Sequence, residues 1–205
     1  MKAIGLKIKS GFAIAAIVER GADGSVIEAV RKVPLASEDL PQSRFPYHPT
    51  IELPERQGAA LSDKAVKEVR RVAAQEMRKI LEEFDGIERA AMVVGSVIDP
   101  DSLGNPHVRV HALEGKLFRE VVAEALKKRG IDCGVLVERD VYAKAAPTLA
   151  STEPKLRAEI AALGHGRIKP WRAEEKLATL AALWSMVPGE KKRGKLSGAA
   201  FWEEP

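Results

Sequence analysis

Glu138, Glu175 and Glu114 are the carboxylates placed where acid, base or metal chemistry is done. Glu138 follows the apolar run Cys133, Gly134, Val135, Leu136, Val137, at the carboxyl end of a predicted buried strand, where open α/β sheets bind their ligands. Glu175 opens a predicted helix that would pack beside that strand, and Glu114 lies in the first turn of another. Carboxylates gathered in this way can hold divalent cations. Each also has a structural role open to it. Glu138 can pair with Arg139 or Arg172, while Glu114, Glu174 and Glu175 suit the positive end of a helix dipole.

His107, Arg109 and His111 alternate with Val108 and Val110. On a strand the three polar side chains would share one face, either solvated or reaching a metal or a phosphate. Lys7 and Lys9 share a face of the first predicted strand, before a turn at Ser10 and Gly11. A phosphate-holding hairpin is conceivable there, but no second glycine-rich phosphate loop follows, so nucleotide binding is the least favoured class. The densest basic run, Lys191, Lys192, Arg193 and Lys195, reads as a nucleic-acid arm or as a solubilising tail.

The elements that must position these residues follow from periodicity. Strands are expected over 3–8, 12–19 and 25–33, joined by short turns into an antiparallel meander. Residues 34–61 carry Pro34, Pro41, Pro46, Pro49 and Pro54 and read as a long extended surface connection. A 3.6-residue apolar period predicts a helix over 62–84, and a continuous apolar run predicts a buried strand over 89–98. A helix over 113–128, a strand over 133–138 and helices over 153–163 and 171–186 complete the order β-β-β-α-β-α-β-α-α. Three meandering strands followed by alternating helices and strands require a mixed sheet with helices on its faces. Leu177, Leu180, Ala181 and Trp184 form the apolar stripe of the last helix. With Phe201 and Trp202 it is either sheet packing or a patch for a second copy of the chain, giving a homodimer.

A chain of 205 residues, 45% hydrophobic and 30% charged, is an ordinary globular domain with ample core. The expected division is one domain over 1–187 and a basic tail over 188–205. Aromatic residues are only 5%, which leaves little for a base-stacking platform. The net charge of +4 mildly favours polyanionic partners. Cys133 is alone, so no internal disulfide or cysteine-rich zinc site is expected. The apolar stretch 12–18 is too short to span a bilayer, and a cytoplasmic protein is the expectation.

Four segments carry a family resemblance. Ala3 to Gly11, reading Ala-Ile-Gly-Leu-Lys-Ile-Lys-Ser-Gly, resembles the first strand and turn of RuvC-like nucleases, where Gly-hydrophobic-Asp-x-Gly is usual. Met92 to Gly95, with Asp99 and Gly104 beyond, and Val135 to Arg139 resemble two strand ends of the Holliday-junction resolvase-like family, which is also linked to pre-16S ribosomal RNA processing. Ala173 to Leu183 is similar to that family's late helix. The resemblance implies a ribonuclease H-like fold and phosphodiester hydrolysis in structured DNA or RNA. It further implies Mg²⁺ or Mn²⁺ held by Glu138 and Glu175, with Glu114 as a third catalytic carboxylate. Lys7 falls where the family has its metal-bridging aspartate, and a charged lysine cannot ligate magnesium. The expectation is therefore a degenerate nuclease or an inactive module binding nucleic acid or protein. Lys7 should meet Glu138 and Glu175 at one end of the sheet and form an ion pair there.

Overall fold

The structure, a computed structural model, describes residues 1–22 and 24–188; Lys191, Lys192, Arg193, Lys195, Phe201 and Trp202 lie outside the described residues. Five strands form one sheet in the order β3-β2-β1-β4-β5. They are β1 (Lys2–Lys9), β2 (Phe12–Gly21), β3 (Gly24–Pro34), β4 (Ile87–Val94) and β5 (Cys133–Val137). The first three form the expected antiparallel meander, and β4 and β5 run parallel to β1. This is the mixed sheet of a ribonuclease H-like fold.

β1 is the central strand and is covered on both faces, which is why residues 3–8 are all buried. Ile4, Leu6 and Ile8 point toward α2 (Glu55–Glu83) and α3 (Pro106–Lys127), where they pack with Val69, Met77, Leu117 and Phe118. The alternate positions Ala3, Gly5 and Lys7 point the other way, toward α6 (Ala173–Ser185). Gly5 is needed there, because a Cβ on it would run into the Ala178 carbonyl and the Ala182 amide of α6. The helix therefore lies directly on the strand backbone. Ala3 packs with Ala182 late in α6 and with Met186 just beyond it, while Lys9 meets Glu174 at its start. So α6 runs antiparallel to β1 and aims its first turn at the carboxyl ends of the parallel strands.

Three expectations need correction. The connection is not extended through residue 61. It contains a 3₁₀ turn (Pro41–Arg44) and a single helical turn, α1 (Pro49–Glu52), and α2 starts at Glu55. Prolines here open helices instead of interrupting extended chain: Pro41 and Pro49 occupy first-turn positions and Pro54 is the residue that enters α2. Second, the segment His107 to His111 is helical. Asn105 accepts hydrogen bonds from the amides of His107 and Val108, and Pro106 fills the first helical position, so α3 starts seven residues before the predicted boundary. Third, α4 (Val141–Thr148) was not expected; it is short and carries Pro147 within it, and α5 (Glu153–Leu163) follows. Leu177, Leu180, Ala181 and Trp184 are buried in the protein's own core, which is the sheet-packing alternative for this stripe; Phe201 and Trp202 of the homodimer alternative lie outside the described residues.

Candidate functional site

Lys7 is paired in register with Val93, and Val93 with Leu136, across β1, β4 and β5. Its side chain reaches over β4 beneath the start of α6 to Glu138, which follows β5, and Lys7 Nζ lies 2.6 Å from Glu138 Oε2. The two ends of this pair live in different media. The Lys7 side chain is 2% exposed and that of Glu138 46%. Burial of a lysine requires such a partner, since an unpaired ammonium in the core costs several kcal/mol.

Glu138 opens a 3₁₀ turn, Glu138–Asp140, that passes into α4. Asp140 is held below the usual carboxylate range by a hydrogen bond from Lys144, with Nζ and Oδ2 2.8 Å apart. Beside Glu138 an open cleft of about 410 Å³ runs between α4, α5 and α6, lined by Tyr142, Arg157, Ala161, Lys176 and Leu177. The Arg157 guanidinium stacks 4.0 Å from the centre of the Tyr142 ring and is tied to Glu153 at 2.7 Å. Burial raises the Tyr142 phenol above its ordinary pKa, with Arg157 pulling the other way.

Sequence reasoning missed the loop that borders this cleft. Between α5 and α6 the chain carries His165, Arg167, Lys169 and Arg172, all exposed, and no acidic residue from 161 to 173. The loop is folded back on itself. Trp171 Nε1 donates to the Ala161 carbonyl at 2.9 Å, and the indole lies against Gly164, where any Cβ would strike it. The signal available in the sequence was the unbroken positive charge of 165–172, overlooked beside the denser run of the tail.

Glu175 and Glu114 do not join Glu138 in one cluster. Glu175 Oε2 accepts the backbone N–H of Arg172 at 2.8 Å and so caps α6. Lys9 pairs at 3.8 Å with Glu174 instead. Glu114 belongs to α3, whose inner stripe packs on the opposite face of the sheet from Lys7. It accepts from the Tyr47 backbone N–H at 3.4 Å and lies 2.8 Å from His48 Nδ1. Arg109, expected beside His107 and His111, turns to Asp101 at 2.6 Å.

This arrangement does not fit the divalent-cation pair that the family resemblance implies. A magnesium ion on Glu138 would sit within about 4 Å of the Lys7 ammonium, a repulsion on the order of 8 kcal/mol at an effective dielectric of 20. Among the described residues, the group of three or more ligand side chains close enough to hold a metal is His48, His107 and His111, and it includes none of the strand-end carboxylates.

The chain matches no protein-family model and no curated protein sequence. Solved structures do match. RuvC of Thermus thermophilus superposes with a TM-score of 0.54 at 15% identity over 90% of this chain and 92% of that one. RuvC of T. thermophilus in complex with a Holliday junction substrate gives 0.53 at 14% identity, over 90% and 91%. The fold is thus that of RuvC. No helix among the described residues is long and apolar enough to cross a membrane.

Proposed function

We propose that this protein binds structured nucleic acid, DNA or RNA, through the carboxyl-end surface of its RuvC-like sheet and does not cleave it by two-metal chemistry. The observation that carries this reading is the ion pair at 2.6 Å between the buried Lys7 and the half-exposed Glu138. Two-metal hydrolysis needs carboxylates that place two cations roughly 3.5 to 4 Å apart around the scissile phosphate. Here a fixed ammonium takes one carboxylate, Glu175 caps its own helix and Glu114 serves another face.

The same features suit an anionic ligand that is held without being cut. Arg157 and Lys176 line the cleft beside Glu138, and Arg167, Lys169 and Arg172 are exposed on the loop that joins two residues of its lining, Ala161 and Ala173. Arginine and lysine side chains of this kind contact phosphate oxygens and fix the register of a duplex without reading its sequence. A branched substrate bound to the T. thermophilus RuvC supports the choice of structured over plain duplex ligand for this fold.

The test is a cleavage assay on four-way DNA junctions and structured RNA with Mg²⁺ and with Mn²⁺, comparing wild type, Lys7→Asp and Glu138→Gln. Wild type is expected to leave every substrate intact. Robust wild-type cleavage that disappears in Glu138→Gln would overturn the proposal. Cleavage gained in Lys7→Asp would identify the lysine as the element that silences a nuclease site.

A further inference from the structure

His107, His111 and Glu114 stand at i, i+4 and i+7 of α3, one above another on a single stripe of the helix. His48, which leads into α1 from the connection after β3, folds over this stripe. The three imidazoles meet edge to face, with ring centres 5.6 Å apart for His48–His107, 5.0 Å for His48–His111 and 4.7 Å for His107–His111. One ring nitrogen of each lies within 4.8 Å of those of the other two. We propose that His48, His107 and His111 bind one divalent transition-metal ion, with zinc the ion they fit, and that this ion pins the connection between β3 and α2 to α3. The proposal does not depend on nucleic-acid binding.

Donor chemistry and geometry agree. A carboxylate only accepts hydrogen bonds, so the 2.8 Å contact with Glu114 Oε1 puts the proton on His48 Nδ1 and leaves Nε2 with its lone pair for a metal. His107 Nε2 and His111 Nε2 are 3.2 Å apart. Two nitrogens on one tetrahedral zinc, each at about 2.05 Å, are separated by roughly 3.3 Å. Closing the nitrogen separations, all within 4.8 Å, to that value takes side-chain movements of no more than about 1.5 Å.

A second and independent feature points to a bound cation. Glu114 is 1% exposed, and its Oε2 is buried without a hydrogen-bond partner. It sits 3.7 Å from His111 Nδ1, just beyond hydrogen-bond range. A carboxylate left half-satisfied in the core is costly, whereas behind a metal it would orient two imidazoles at once and balance the ion's charge. Imidazole donors select zinc and its transition-metal neighbours over magnesium or calcium, which take oxygen. His107 and His111 are exposed, so solvent supplies the fourth position.

The test uses the full chain, stripped with chelator and titrated by equilibrium dialysis with zinc sulfate, and separately with cobalt chloride. Wild type should take up one zinc per chain with no competition from excess magnesium, and cobalt should give the visible absorption of a tetrahedral site. His107→Ala/His111→Ala, at exposed positions that tolerate replacement, should lose affinity by a hundredfold or more. Glu114→Gln should lose about 10- to 100-fold. Zinc should also slow tryptic cleavage after the exposed Arg44 of the connection in wild type and not in the double variant. Equal zinc uptake by wild type and the double variant, or no uptake by wild type, would overturn the proposal. Uptake with no effect on cleavage after Arg44 would overturn the pinning role.

Discussion

A lysine almost wholly buried and a glutamate almost half exposed make an unequal pair, and removing either partner has a different consequence. In Glu138→Ala the Lys7 ammonium is left in the core without its counter-charge, and stability should fall by about 3 kcal/mol. In Lys7→Met the buried charge itself is gone and the Glu138 carboxylate can hydrate, so the change should stay within about 1 kcal/mol. Urea unfolding of both variants checks the asymmetry; equal losses would mean that Glu138 is as dry as its partner. The meeting of these two residues was legible through the resemblance, which places the first strand, with Lys7 near its end, between the elements that carry Glu138 and Glu175. The fate of Glu175 and Glu114 was not. Glu175 stands in the first turn of α6 and Glu114 in the third turn of α3, and only the strand parity of β1 and the path of the connection decide which face each serves. His48 carried no signal either, being one histidine in a proline-rich stretch whose partner lies 66 residues away.

At the scale of the element, α6 lies on β1 so closely that Gly5 has no room for a methyl group. Gly5→Ala should therefore destabilise the fold by about 1–3 kcal/mol through displacement of α6, and it should loosen the Lys7–Glu138 pair that the helix start covers. Thermal unfolding measures the first effect, and amide hydrogen exchange in the first turn of α6 measures the second. An unchanged melting temperature would show that the helix can move off the strand freely. Strands and long amphipathic helices were readable because their period reports the buried face, as in Val69, Ala73, Met77 and Ile80 of α2. Helix starts were not. His107-Val-Arg-Val-His111 alternates as a strand does, yet the Asn105 cap and Pro106 override that alternation and turn its two histidines onto one helical stripe. Pro49 and Pro54 hid α1 and the first turns of α2 in the same way.

For the whole molecule, the order of elements and a central β1 flanked by an antiparallel and a parallel neighbour establish the RuvC fold at an identity where sequence alone could offer only a resemblance. A fold held in common does not carry a reaction with it, and function has to be argued from the site. The surface around the cleft, with its exposed cationic loop 165–172, is what the proposed function uses. The most direct measurement is equilibrium binding of a labelled four-way DNA junction to the full chain across a salt series, with Arg167→Ala/Lys169→Ala/Arg172→Ala alongside wild type. Each phosphate neutralised on duplex arms contributes about −0.9 to the slope of log affinity against log salt. Wild type should bind at low salt with a steep negative slope, and the triple variant should bind more weakly with a slope shallower by about 2 to 3. Absence of binding at low salt, or identical slopes for the two proteins, would contradict nucleic-acid recognition at this end of the sheet.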